Sequence, residues 1–309
     1  MENAKFDIIA IVGPTASGKT TLAANLAARI NGEIISADSR QVYRGMNLGT
    51  GKDYDDYTIN GNKIPYHLID IVDAGYKYNV FEYQRDFLNV YNDIQKRGKP
   101  SVLCGGTGLY IDAVLKGYKL LPVPENPALR QALETKTDAE LTAILSSYKN
   151  LHNTTDLDTR KRTIRAIEIE EFYTEHAVEV DPFPKLKSKI FGVKYPRNIE
   201  MARIKQRLAQ RLSGGMVDEV KALLDRGLSS ENLIYYGLEY KYITEYIIGK
   251  LSYDEMFQQL YIAIRQFAKR QMTWFRGMER KGFTINWLNG EMPLAEKLNT
   301  ILAQIESDN

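Results

Sequence analysis

The sequence predicts an α/β fold: a central, mainly parallel sheet, interrupted by an all-helical insertion and completed by a helical C-terminal part. Three observations predict it. Short apolar runs at residues 8–12, 34–37, 102–104 and 190–193 have the length of strands buried on both faces. The first runs into Gly13-Pro14-Thr15-Ala16-Ser17-Gly18-Lys19-Thr20, which fits G-x-x-x-x-G-K-[ST] and precedes a helix-like run at residues 21–29. Between residues 121 and 187 strand signals vanish and helix starts replace them. A P-loop NTPase-like core is therefore expected from residues 1–120 and 188–309, with residues 121–187 as the insertion.

Bulk properties narrow the function classes. A chain of 309 residues with 44% hydrophobic and 26% charged residues can build a sizeable core and suggests about two domains. The formal net charge is only +2, so any basic surface is local. The single cysteine, Cys104, excludes an intramolecular disulfide and fits a reducing compartment. No N-terminal signal pattern and no apolar run of about 18 residues is present, so a cytoplasmic protein without a membrane partner is expected. His67, His152 and His176 are scattered and unpaired with cysteine, which argues against zinc. A monomer is expected, and no internal repeat is visible.

The phosphate loop has a direct physical reading. Its glycines let successive N–H groups point into one cavity, and the following helix adds its positive end. Lys19 then suits an outer phosphate and the Thr20 hydroxyl a Mg²⁺. The next strand ends in Asp38, which the carboxyl edge of a parallel sheet would turn toward the same crevice; an Asp in this position can also cap a helix. Residues 44–64 read as loop, His67–Val72 as a third strand, and residues 80–96 as a helix with Phe81, Phe87, Leu88, Tyr91 and Ile94 inward. The strand at residues 101–104 runs into a second glycine loop, Gly105-Gly106-Thr107-Gly108. That loop can add an anion nest, and its strand lacks the Mg²⁺-holding aspartate that nucleotide hydrolases often carry there.

In the insertion, Asn126-Pro127 starts one helix and the capping box Thr137-Asp138-Ala139-Glu140 another, and the chain returns through Asp181-Pro182-Phe183-Pro184. Arg160-Lys161-Arg162-Thr163-Ile164-Arg165 is a basic helical run that reads as a solvated face or an RNA contact. Further on, Arg203 and Arg207 share a helical face and could grip a diphosphate. Two helical segments are expected after Gly227, the second opening at the capping box Ser252–Glu255. On that helix Met256, Leu260, Ile264, Phe267 and Phe275 should pack, while Arg265, Lys269 and Arg276 form a stripe with Arg270 beside it, suited to an RNA backbone. The tail after Trp287 suggests a short amphipathic helix at most.

The phosphate loop, Asp38-Ser39-Arg40-Gln41-Val42-Tyr43, Gly105-Gly106-Thr107-Gly108-Leu109-Tyr110 and residues 265–277 occur in an order that resembles the tRNA dimethylallyltransferase (tRNA isopentenyltransferase) family, over nearly the whole chain. No Cys or His follows Trp274, as in the bacterial form. The resemblance implies transfer of a dimethylallyl group from dimethylallyl diphosphate to N6 of the adenosine 3′-adjacent to the anticodon, on the anticodon stem-loop of tRNA. It implies Asp38 as the base, with Thr107 and Arg207 as further catalytic groups. Around the diphosphate it places residues 13–20, Thr107, Arg130 and Arg207; at the tRNA it places Asp38, Ser39, Arg40, Gln41 and Lys161 to Arg165. Leu238-Glu239 departs from the usual family residues after Gly237. The residues alone leave two other readings open, an ATP-dependent small-molecule phosphotransferase and an RNA-binding P-loop NTPase.

Overall fold

Six strands form one sheet in which every pairing is parallel. They are β1 (Ile8–Val12), β2 (Glu33–Ala37), β3 (Tyr66–His67), β4 (Ser101–Gly105), β5 (Ser188–Lys194) and β6 (Ile285–Asn289), in spatial order β6-β5-β1-β4-β2-β3. The structure, a computed structural model, describes residues 6–149, 154–176 and 183–307. His152, Asp181 and Pro182 lie outside them. β1, β2 and β4 are buried along their whole length, which is why their sequences are apolar runs without alternation. Val12 is in register with Gly105 of β4 and Gly192 of β5, and Ala37 of β2 with Gly105. The carboxyl ends of four strands therefore align, and the two glycine loops and Asp38 leave from one edge.

α1 (Lys19–Ile30) and α2 (Val80–Lys96) pack on this sheet, and α3 (Gly108–Lys116) packs against α2. α2 begins with a complete capping box from Asn79 and Glu82, and it buries Tyr83, Gln84, Phe87, Tyr91 and Ile94. Phe81 and Leu88, expected inward, are half-buried. The chain folds as two compact units, Met1–Tyr118 with Pro184–Asn309, and Lys119–Phe183. The second unit contains α4 (Pro127–Glu134), α5 (Asp138–Tyr148) and α6 (Arg160–Glu175) around Leu133, Leu141, Leu145, Ile164 and Ile167.

In the first unit the chain continues through α7 (Arg197–Arg211), α8 (Val217–Asp225), α9 (Ser230–Tyr236), α10 (Leu238–Ile247), α11 (Tyr253–Arg280) and α12 (Leu294–Ser307). A left-handed backbone at Gly237 and Leu238 (φ 75° and 43°) separates α9 from α10, so three helices stand where two were expected. α11 runs 28 residues from a Ser252/Glu255 capping box and buries Met256, Leu260, Ile264, Ala268, Gln271, Phe275 and Met278; Phe267 is half-buried. Among the described residues, no helix is long and apolar enough to cross a membrane.

Two expectations are corrected. His67–Val72 is not one strand: Leu68 and Asp70 adopt positive φ (61° and 56°), which ends β3 after His67. Val72–Asp73 instead pairs with Tyr43–Arg44 in a separate two-stranded sheet. The tail holds more structure than its composition suggests, because β6 extends the sheet beside β5 and the 14-residue α12 buries Leu298 and Ile301 in the core.

Candidate active site

The loop after β1 is built for close approach. A Cβ on Gly13 would lie 2.7 Å from Val193 O and 2.9 Å from Ser17 Oγ, so only glycine fits beside β5. Gly18 (φ 77°) caps α1 without a side-chain acceptor, leaving the first N–H groups of that helix directed out of its N-terminus. The Ser17 hydroxyl is buried with no hydrogen-bond partner, as expected of a group awaiting a ligand. Lys19 Nζ donates to Pro14 O at 3.3 Å. Burial lowers its pKa from the ordinary lysine value, partly offset by Cys104 and Asp38. The Cys104 thiol, beside the Thr20 hydroxyl, is pushed up to about 12 by burial and is an inert neighbour.

α7 supplies the opposite wall. Arg203 Nε donates to Ala16 O at 3.0 Å while its guanidinium lies 4.4 Å from the Tyr195 ring centroid. Arg207 donates to the Thr15 hydroxyl. Burial, and then Arg211, lowers its pKa to about 10, so it stays charged at neutral pH. Ala16, Gly18, Thr21, Arg203 and Arg207 line a cleft of about 300 Å³ together with Asp53 and Asp56. No cluster of three or more His, Cys, Asp or Glu among the described residues could hold a metal by itself. The Thr20 hydroxyl, in the first turn of α1, is the hard oxygen donor that a Mg²⁺ would accept. Asp70 is committed to Lys52 Nζ and the Tyr54 hydroxyl, both at 2.5 Å.

Asp38 follows β2 at the same edge. Its Oδ1 accepts the N–H groups of Arg40 (2.9 Å) and Gln41 (3.4 Å), which fixes the carboxylate in a turn, not at a helix start. Asp38's charge acts on both Lys19 and Arg207. Thr107 holds this segment in place: its N–H donates to Ala37 O at 3.1 Å and its hydroxyl accepts the Ser39 N–H at 3.0 Å. β4 lies directly beside β1 and is Ser-Val-Leu-Cys-Gly, so the strand next to the phosphate loop carries no acid.

Several expected RNA contacts are placed differently. Gln41 is buried, with its Nε2 donating to Gly51 O at 3.0 Å, so its side chain organises the loop after β2. Arg40 lies over the Tyr236 ring at 5.3 Å. In the second unit, Thr163 donates to Asp156 O at 2.9 Å and is buried, and Ile164 is core, which removes both side chains from an exposed RNA contact. Arg165 donates to Val123 O at 2.7 Å and pairs with Glu168; Arg162 pairs with Asp158 at 2.9 Å. Arg130 is held by Glu168 through two hydrogen bonds (3.0 and 2.8 Å) and by Glu125 at 3.0 Å. On the first unit, by contrast, Arg265, Lys269 and Arg276 do line one face of α11, in a cleft of about 580 Å³ shared with Lys194 and Arg197. Arg270 is exposed at its side, 6.0 Å from the Phe267 ring.

Sequence reasoning missed Gln271, whose amide touches both glycine loops, and Arg211, which pairs with Asp53 at 3.0 Å. It also missed Glu219, whose carboxylate accepts the N–H groups of Asn47, Leu48 and Gly49. Only a view of which distant segments meet could have found them.

A family model described as IPP transferase matches residues 41–278, and one described as Isopentenyl transferase matches residues 6–67. The chain is 63% identical over 305 residues to tRNA dimethylallyltransferase 2 of Phocaeicola vulgatus, covering 99% of each. It is 60% identical over 297 residues to tRNA dimethylallyltransferase 1 of Parabacteroides distasonis, covering 96% of this chain and 97% of that one. The crystal structure of the full-length tRNA isopentenylpyrophosphate transferase from Bacillus halodurans superposes with a TM-score of 0.70 at 30% identity over 98% of both chains. A eukaryotic dimethylallyltransferase acting on tRNA shares the fold, with a TM-score of 0.74 at 23% identity over 92% of this chain and 73% of that one. A match spanning most of the chain, laid over a phosphate cradle with a strand-end carboxylate beside it, makes this protein a member of the IPP transferase family.

Proposed function

We propose that the protein transfers a dimethylallyl group from dimethylallyl diphosphate to N6 of the adenosine 3′-adjacent to the anticodon in tRNA, releasing diphosphate. The observation that carries this reading is Asp38 at the strand edge shared with the Gly13–Thr20 cradle, its charge acting on Lys19 and Arg207. A hydrolase reading lacks its usual acid on β4.

The chemistry follows from charge. An exocyclic adenine amine is a poor nucleophile because its lone pair is delocalised into the ring, so removing its proton as the bond forms lowers the barrier. The N6 nitrogen attacks the allylic C1, the C1–O bond breaks with its electron pair leaving on diphosphate, and the N6 proton passes to the Asp38 carboxylate. Negative charge grows on the leaving group, where Lys19, Arg203, Arg207 and the N-terminus of α1 are fixed to meet it. Mg²⁺, when bound at Thr20 and the phosphates, adds further charge neutralisation. Thr107 positions the Asp38 turn through Ser39. Diphosphate binding by Arg130 would require its guanidinium to exchange Glu168 and Glu125 for phosphate oxygens. Half-buried Arg265 and exposed Lys269 and Arg270, with Lys161 and Arg162 of the second unit, are the cations proposed for the RNA backbone.

The test is incubation with tRNA, Mg²⁺ and labelled dimethylallyl diphosphate. Label should appear in modified adenosine, and Asp38→Asn should lower kcat by about 10²- to 10⁴-fold while tRNA still binds. ATP turnover with dimethylallyl diphosphate ignored would overturn the reading.

A further inference from the structure

The two glycine loops of the site are joined by one side chain from a distant helix. Gln271 Oε1 accepts the Thr15 N–H at 2.8 Å, and its Nε2 donates to Gly106 O at 2.9 Å. The residue is 6% exposed, so both bonds are made away from water. Beyond Gly106, the Thr107 hydroxyl accepts the Ser39 N–H at 3.0 Å, and Ser39 follows Asp38. A continuous path thus runs from the cradle through Gln271, Gly106, Thr107 and Ser39 to the carboxylate.

We infer that Gln271 is a positioning residue that sets the separation between the leaving-group cradle and the Asp38 base. The inference rests on the function proposed above. The second loop is shaped around this helix: a Cβ on Gly106 would lie 2.4 Å from Gln271 Nε2, and one on Gly108 would lie 2.3 Å from the Trp274 ring. Glycine at both positions lets α11 come close enough for one amide to span the gap. The chemistry of that amide is specific, since one end must accept and the other donate. Leucine offers neither group, asparagine is one methylene too short, and an ionised glutamate accepts at Thr15 but repels Gly106 O. A protonated glutamate restores both bonds. The Thr15 N–H is spent on Gln271, so the donors facing the diphosphate begin after Thr15.

The experiment compares wild type, Gln271→Glu and Gln271→Leu in kcat, in KM for dimethylallyl diphosphate and in tRNA Kd across pH. A misplacement of about 1 Å between reacting groups can cost about 10²-fold. Gln271→Leu is therefore expected to lose about that much in kcat at every pH, with tRNA Kd unchanged. Gln271→Glu should approach wild type at low pH and fall away as pH rises. Lys19, Asp38 and Arg207 are common to both proteins, so taking the ratio to wild type at each pH removes what they share. A Gln271→Glu ratio that is flat with pH, or a loss confined to tRNA affinity, overturns the inference even if Gln271→Leu fails to fold. Full kcat in Gln271→Leu does the same. A wild type that transfers nothing sinks the proposed function and this inference together, whereas an active wild type with unaffected variants sinks the inference alone.

Discussion

Two arginines of α7, Arg203 and Arg207, and those of the helical insertion are the same residue with opposite kinds of partner; Arg211, at the end of α7, pairs with Asp53 and stands with the second group. Among the described residues, the hydrogen bonds of Arg203 and Arg207 go to neutral oxygens, a carbonyl and a hydroxyl of the phosphate loop. Arg130, Arg160, Arg162 and Arg165 each close on a carboxylate: Glu168 and Glu125, Glu134 and Asp138, Asp158, and Glu168. A guanidinium bonded to neutral oxygens keeps its full charge available, so the α7 pair is poised for an anion. One already neutralised by carboxylates contributes to folding and offers less to a ligand. Sequence patterning shows the basic runs and hides this difference, because the carboxylates lie up to 38 residues away along the chain, as Arg130 and Glu168 illustrate.

The comparison is broken most directly at Arg207. Arg207→Met should lower kcat by about 10²- to 10³-fold, the usual loss when one preorganised donor to a developing anion is removed. Stability should respond in the opposite sense. Burial beside Arg211 already holds the Arg207 pKa down to about 10, so removing it relieves like-charge repulsion, and the thermal unfolding midpoint should stay level or rise. A fall in both activity and midpoint would place Arg207 with the structural arginines.

The same contrast explains what could be read from the chain alone. The cradle was legible because its residues are contiguous and match one pattern, and Asp38 because a strand end fixes where it points. The Gln271 clamp was not, since it joins residues 256 positions apart, and its helix pattern marks it only as one more inward position. β6 escaped because Ile285–Asn289 is a half-exposed edge strand of mixed polarity. The strand expected at His67–Val72 failed for a local reason. Apolar residues signal burial, but positive φ at Leu68 and Asp70 depends on contacts such as Lys52 with Asp70 that periodicity does not report.

In the insertion the comparison is sharpened at Glu168. This carboxylate is 2% exposed and accepts from Arg130, Arg165 and the Asn126 N–H. Burial works to raise its pKa, but Arg130, the Asn126 N–H and Arg165 outweigh burial and hold it below the ordinary 4.5. A depressed carboxylate stabilises the fold above its unfolded pKa and loses that contribution as pH falls through the folded value. The insertion should therefore loosen in acid below pH 4.5, before the sheet does, as read by hydrogen exchange in α4 and α6. Glu168→Ala should destabilise this unit by about 3 kcal/mol, because it leaves Arg130 and Arg165 half-buried without their shared partner, and should remove the acid transition. An insertion equally protected in wild type and variant would show that these arginines are no more committed than those of α7.

The smallest expected effect lies on α11, where half-buried Arg265 and exposed Lys269 belong to neither class. Arg265 lies 5.3 Å from the Tyr261 ring, and Lys269 is exposed, with no carboxylate in ion-pair reach of either among the described residues. Their charge is therefore available, but water screens it, so each should matter only through a phosphate it meets. Replacing both with alanine should weaken tRNA binding several-fold and lower the slope of log affinity against log salt by about one per lost contact. kcat at saturating tRNA should stay unchanged, since neither side chain lines the cradle. A double variant that binds as tightly as wild type at every salt concentration would make this face ordinary surface, unlike the wall that Arg203 and Arg207 form.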